Sequence, residues 1–180
     1  MYMFDKVIIR RMIKKYKLDI NHLYVEISSK HILHKLECHP RFIAASHISI
    51  YNALPDEPQT LEFIKKWSVD KEIYLPIIRD GILKLSKLHT PEDLILGKYN
   101  IFEPSVDDIL TDYSNLDLIV IPGVAFDYQG NRLGRGKAYY DQLLSRPGLE
   151  HVYKIGLCFD FQKFVTLPAE PHDIRVDEVL

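Results

Sequence analysis

Cysteine is scarce: Cys38 and Cys158 are the two in 180 residues, far apart and with no CxxC or Cys/His cluster around them. That excludes a disulfide framework and a thiolate zinc site, and leaves both thiols to be expected as small apolar core residues. Net charge is also scarce, at −2, so broad adhesion to nucleic acid or to an anionic membrane is not expected and any anion site must be local. No apolar run approaches the roughly 20 residues of a membrane span. The opening "MYMFDKVIIRRMIKKYK" is basic and amphipathic but lacks the apolar core and small-residue cleavage site of a secretory signal. The expected setting is therefore cytoplasmic, without membrane or nucleic-acid partners. There is no HExxH, no GxSxG elbow and no internal repeat, and the eight histidines form no metal or nucleophile pattern.

The composition that remains, 47% hydrophobic and 27% charged, is that of an ordinary globular chain, and no Gly-, Ser- or charge-rich linker divides it. One domain over residues 1–180 is expected. Phe4, Ile8, Met12 and Tyr16 recur every four residues, widened by Val7 and Ile13, which predicts a helix buried on that stripe. Lys6, Arg10, Lys14 and Lys17 fall on another face; Lys14, Lys15 and Lys17 read as surface. A second helix is expected over about 23–38, capped by Asp19 or Asn21 and stopped before Pro40.

Strands are expected at "SHISIYNAL", "KEIYLPII" and, after the Asp80-Gly81 turn, "ILKLSKL". "TLEFIKKWS" reads as a short helix and "TPEDLILG" as a capped helical turn ending at Gly97. "LDLIVIP" is an unbroken apolar run closed by proline, as a strand covered on both faces requires. "KAYYDQLLSR" is helical, and "VYKIGLCF" and "DIRVDEVL" read as strands. Alternation of strands and helices predicts an α/β fold: a three-layer domain with a mostly parallel open sheet between helices, Rossmann-like but without a dinucleotide fingerprint.

In such sheets ligands bind beyond the carboxyl ends of the strands. That is where "IPGVAFDYQGNRLGRGKAYYDQLL", residues 121–144, lies. Gly130, Gly134 and Gly136 permit close approach to the main chain, Arg135 and Lys137 add charge, and a helix beginning near Lys137 would turn free N–H groups toward an anion. A polyphosphate suits that loop; an ordinary strand-to-helix turn with solvated cations is the plain alternative. It is not a Walker A loop, because Asn131 stands at the first glycine position and Ala138 follows the lysine, and Tyr139 stands where a dinucleotide loop needs glycine.

"PGVAFDYQGNRLGRGKAYYDQLL" closely resembles the signature of the 5-formyltetrahydrofolate cyclo-ligase family, with its Pro-Gly-x-x-Phe-Asp turn, Gly-x-Arg-Leu-Gly stretch and Gly-Lys-x-Tyr-Tyr-Asp helix start in the same order. "DKVIIR", "YNALPDEPQT", "YLP", "IFEP" and "RVDEVL" extend the likeness along the chain. The resemblance implies an ATP-dependent ligase that converts 5-formyltetrahydrofolate to 5,10-methenyltetrahydrofolate through a phosphorylated formyl group, with Mg²⁺, ATP and a reduced folate as its partners, acting as a monomer. It implies an ATP site of Lys6, Arg10, Arg132, Leu133, Gly134, Arg135, Gly136, Lys137, Ala138, Tyr139 and Tyr140, with Lys137 and Arg135 as the catalytic cations. Asn52 and Glu57 would meet the folate together with Arg135, Gly136, Lys137, Ala138 and Tyr139, and Asp141 and Asp177 would hold magnesium. Phe126 and Tyr128 would flank the pocket, whereas Phe102, Glu103 and Pro104 read as a structural turn. The chain departs from the family pattern at Ala138, usually glycine, at Ile77 and Ile78, and at Leu83-Lys84-Leu85, where many members carry Met-x-Phe. An enzyme of the same fold acting on another small acceptor, and a nucleotide- or folate-binding protein without turnover, stand as the alternatives.

Overall fold

A computed structural model describes residues 5–97 and 101–180. In chain order it contains α1 (Lys6–Leu18), α2 (His22–Glu37), α3 (Pro40–Ala44), β1 (His47–Ile50), α4 (Leu61–Trp67), β2 (Glu72–Arg79) and β3 (Ile82–Leu88). There follow β4 (Leu94–Leu96), β5 (Phe102–Pro104), β6 (Leu118–Pro122), β7 (Ala125–Asp127), β8 (Arg132–Leu133), α5 (Tyr139–Leu144), β9 (Tyr153–Leu157), β10 (Lys163–Phe164) and β11 (Glu178–Val179). Six strands form the main sheet in the order β11-β9-β6-β1-β2-β3, parallel throughout except for the β2–β3 hairpin. The expected α/β layering and mostly parallel sheet are thus present.

The apolar run of β6 explains the layers. Its alternate side chains point to opposite faces. Leu118 and Val120 join Ile32, Leu36, Phe42, Phe63 and Ile64 from α2, α3 and α4 on one side. Ile119 and Ile121 join Leu143 and Leu144 of α5 on the other. Burying one such side chain contributes about 1.5–3 kcal/mol, so the register of β6 is strongly fixed. At the far edge Asp80 and Gly81, with φ of 55° and 75°, make the two-residue turn in which both positions are left-handed. Pro76 is tolerated in β2 because pairing with β1 spans Glu72 to Tyr74 and ends before it.

Several expectations are corrected. Helix α1 buries Ile9 and Ile13, while Ile8, Met12, Tyr16 and Val7 are exposed; Phe4 lies outside the described residues. The helix docks on the side flanked by Lys6, Arg10 and Lys17, because that orientation gives those side chains polar partners. "TPEDLILG" is helical over Pro91–Asp93 alone and then becomes β4, whose backbone groups pair with β5. Phe102, Glu103 and Pro104 are therefore a strand rather than a turn. Cys158 is buried as expected and its thiol is pushed up to about 12 by burial, but Cys38 is exposed.

The segment between β6 and α5 holds a hairpin that periodicity did not reveal. Strand β7 pairs with β8 on one side and β10 on the other. Buried Asp127 accepts from the amides of Gln129, Asn131 and Leu167 and from the Asn131 side chain, which knits the hairpin turn to the chain after β10. Ile9 and Ile13 of α1 pack on Val124, Ala125 and Leu133 of this hairpin. That contact carries the cations of α1 to the loop that follows β8.

Candidate functional site

A cavity of about 680 Å³ opens at the carboxyl ends of β1 and β6, within the usual range for small-ligand sites. Its walls come from α1, the loop after β1, the hairpin β2–β3, β5, the loop between β8 and α5, and the segment around Asp173. The structure brings together Lys6, Arg10, Asn52, Glu57, Arg132, Leu133, Gly134, Arg135, Gly136, Lys137, Ala138, Tyr139, Tyr140 and Asp141. Tyr51, Leu54, Pro76, Ile78 and Leu83 make one part apolar.

At the loop, Gly136 has φ of 96°, the left-handed region that favours glycine, and the next turn into α5 passes through Ala138 at φ 53°. The helix starts at Tyr139, two residues later than the sequence suggested. Six residues long, it contributes little dipole, and the loop's cations supply most of its positive potential.

Those cations are not equivalent. Lys6 donates to Asp173 at 2.7 Å and Glu170 at 3.0 Å. Burial opposes its charge, but the hydrogen bonds to Asp173 and Glu170 outweigh that and hold its ammonium above its usual range. Arg132, itself buried, donates to both oxygens of Asp141 at 3.0 Å and leaves its Nε without a partner. Arg135 reaches Asp56 at 2.7 Å and Glu57 at 3.0 Å. Arg10 donates Nε to the Gly134 carbonyl at 2.8 Å, and Lys137 is exposed. Among the described residues neither Arg10 nor Lys137 is in an ion pair, so these two have charge to offer an incoming phosphate.

Glu57 is 6% exposed and lies at the apolar part of the cavity, with Oε2 accepting the Leu54 amide at 3.0 Å. Asn52 spends its side-chain N–H on the Phe102 carbonyl at 3.0 Å, which ties β5 to the loop after β1. The Tyr140 hydroxyl is raised far above its usual range by burial, with the Glu57 carboxylate adding to the effect. It stays a neutral donor. Its ring also lies 5.4 Å from the Arg132 guanidinium carbon, a cation–π contact that helps fix that side chain.

Not every expected residue arrives. Asp177 is exposed and outside the cavity lining; it accepts the Lys154 amide at 2.7 Å and so caps the start of β9. Asp173, four positions earlier in the chain, is half-buried. It lines the cavity, and the amide of its neighbour Ile174 donates to Asp141 at 3.4 Å, so both carboxylates sit at one end. Glu170, His172 and Asp173 lie close enough to share a cation, a grouping that the histidines' sequence spacing gave no reason to expect. Phe126 is fully buried, wedged against Gly123 and Gly156, and Tyr128 is 79% exposed, so neither flanks the pocket. Glu103 was missed because it was read as part of a turn; it lines the cavity and pairs with Arg79 at 3.1 Å. Lys17 was read as surface but its side chain is 9% exposed and bonded to Asp56.

Comparison with known proteins shows the family and the fold. The family model described as 5-formyltetrahydrofolate cyclo-ligase matches residues 3–180. The chain is 33% identical over 159 residues to the 5-formyltetrahydrofolate cyclo-ligase of Mus musculus, covering 81% of this chain and 78% of that one. It is 30% identical over 152 residues to the Escherichia coli (strain K12) enzyme of that name, covering 81% and 83%. The solved 5,10-methenyltetrahydrofolate synthetase of Aquifex aeolicus superposes with a TM-score of 0.85 at 29% identity, over 97% of this chain and 88% of that one. The Mycoplasma pneumoniae synthetase, at 21% identity and a TM-score of 0.75, shares the fold over 98% of each chain. With the family model matching nearly its whole length and a relative 33% identical over four fifths of it, the chain belongs to the 5-formyltetrahydrofolate cyclo-ligase family.

Proposed function

We propose that this protein converts 5-formyltetrahydrofolate to 5,10-methenyltetrahydrofolate with ATP going to ADP and phosphate. The observation that carries the reading is one cavity with two chemically distinct parts: Arg10 and Lys137, without an ion pair among the described residues, beside glycine-rich backbone, and a buried carboxylate beside apolar walls. Arg10 and Lys137 oppose the charge of a triphosphate. Glu57 accepts from adjacent N–H donors of the pterin, whose ring rests on the apolar walls formed by Tyr51, Leu54 and Leu83.

In this reading the formyl oxygen attacks the γ-phosphorus and ADP leaves. The neighbouring N10 then attacks the formyl carbon, the carbon–oxygen bond to phosphate breaks, and the N10 proton is lost to solvent. Closure is intramolecular, so holding the folate in one pose removes most of its entropic barrier. Phosphoryl transfer needs alignment and charge neutralisation rather than a covalent protein group, which is the work assigned to Lys137 with Arg10 beside it; Arg135, expected as a second catalytic cation, is held by Asp56 and Glu57. Asp141 and Asp173 suit a magnesium ion, since that ion takes one or two carboxylates together with phosphate oxygens and water, and an ionised carboxylate retains free lone pairs after the bonds seen here. Such an ion would neutralise charge on the phosphates; Arg132 and Lys6 hold its carboxylates in place. The cavity draws on residues from Lys6 to Asp173, which favours one folding unit. A monomer working in the cytoplasm completes the reading; no described helix is long and apolar enough to cross a membrane.

The test is an assay with 5-formyltetrahydrofolate, Mg²⁺ and ATP. Near-ultraviolet absorbance of the methenyl product rising in step with ADP is the expected result. ADP released only with a different acceptor would move the chain to another substrate, and nucleotide binding without ADP would make it a binding protein.

A further inference from the structure

Glu57 cannot receive a pterin edge as it stands. An ionised carboxylate has about four lone-pair sites. Oε1 of Glu57 already takes Nη2 of Arg135 at 3.0 Å and Nε at 3.3 Å, and Oε2 takes the Leu54 amide at 3.0 Å. Two adjacent ligand donors need both oxygens, so Arg135 has to give up Oε1. A guanidinium leaving a buried carboxylate needs somewhere to put its charge.

The structure supplies that place. Arg135 Nη2 already touches Oδ1 of Asp56 at 2.7 Å, shorter than either contact to Glu57. Asp56 is in turn pinned from the other side: Lys17 Nζ donates to its Oδ2 at 3.0 Å and to its carbonyl at 2.6 Å. The Lys17 side chain is 9% exposed, which is costly for an ammonium unless the pair is used. The loop carrying both acids is otherwise rigid, with Gln59 donating to the carbonyls of Leu54 and Glu57 at 2.8 and 2.7 Å. Lys17, Asp56, Arg135 and Glu57 thus form a neutral chain of four charges running from α1 into the cavity.

We infer that Asp56, held by Lys17, is the alternative seat of Arg135: it keeps the guanidinium when folate takes Glu57. Asp56 and Lys17 are positioning residues in this scheme, acting through Arg135, and they set folate affinity. The inference rests on the functional reading above. Without Asp56, Arg135 has one carboxylate left and competes with the pterin for it.

Folate and nucleotide KM, kcat and thermal midpoint are measured for wild type, Asp56→Asn, Lys17→Met, the double variant and Lys17→Arg. The expected result is a folate KM raised about 5- to 10-fold in Asp56→Asn and less in Lys17→Met, an ATP KM changed less than 2-fold, and a double variant no worse than Asp56→Asn. Lys17→Arg restores most of the loss. Equal effects on both substrates, additive losses, or a folate KM unchanged in whichever of the single variants folds would each overturn the inference. A wild type that turns over 5-formyltetrahydrofolate while its variants match it sinks this inference alone, whereas a wild type that neither binds nor converts that folate sinks the functional reading and this one with it.

Discussion

Lys137 differs from its neighbours in being uncommitted. Among the described residues Lys6, Arg132 and Arg135 are bound to carboxylates, and what they offer a ligand is the difference between two partners. Among the described residues Lys137 has no ion pair to break before it meets an arriving phosphate. Replacing it with alanine removes a cation and no core volume. Lys137→Ala should therefore lower kcat by roughly 10²-fold or more, as loss of a preorganised transition-state donor typically does. Its denaturation midpoint should stay within about 0.5 kcal/mol of wild type, as for other exposed substitutions. Steady-state kinetics beside a urea titration checks both halves; full activity would remove Lys137 from the phosphate.

At the level of elements, the turn into α5 carries an avoidable cost. Ala138 sits at φ 53° and ψ 17°, a left-handed conformation in which a Cβ crowds the following carbonyl, and it does so at the N-cap without a side-chain cap. The sequence marked Ala138 only as a departure from the family's usual glycine, and the backbone shows the strain that this departure brings. Ala138→Gly should stabilise the protein by about 1 kcal/mol, less what glycine's freer unfolded chain takes back, seen as a rise in the thermal midpoint. A fall would mean that the alanine's smaller unfolded-state entropy dominates.

The same stretch shows what the letters can and cannot convey. Element order was readable because apolar periods of 2 and 3.6 are distinct, and β6 could hardly be anything else. Which face of α1 is buried was not, since Ile8-Met12-Tyr16 and Ile9-Ile13 are both spaced for a helix and the tertiary partners of Lys6, Arg10 and Lys17 decide between them. The β7–β8 hairpin was hidden because its strands are three and two residues long, too short to show a period. The site was legible as a glycine and cation loop. That Asp173 rather than Asp177 lines the cavity was not, because the three residues between them turn the chain from the cavity to the edge of β9, and spacing alone carries no direction.

For the molecule as a whole, Lys6 and Asp173 join the first helix to the last loop across the cavity, 167 residues apart. For Asp173, burial works against the charge, but the hydrogen bonds from Lys6 and the Glu170 amide prevail and hold its carboxyl below the ordinary 3.8. A depressed carboxylate contributes stability that is present above its unfolded value and is lost as pH falls through the folded one. Lys6, raised above the ordinary 10.5, contributes below that value and loses it as pH rises through the folded one. The pair therefore supports the fold across the whole neutral range and fades at both ends. Lys6→Met should cost about 1 kcal/mol at pH 7, the upper end for a pair with this much solvent contact. The gap between variant and wild type should close as the pH is taken below 3.8, where Asp173 becomes protonated in both. Urea midpoints at a series of pH values measure it. A gap that held constant into acid would show that the lysine stem supplies packing and that the charge does not contribute.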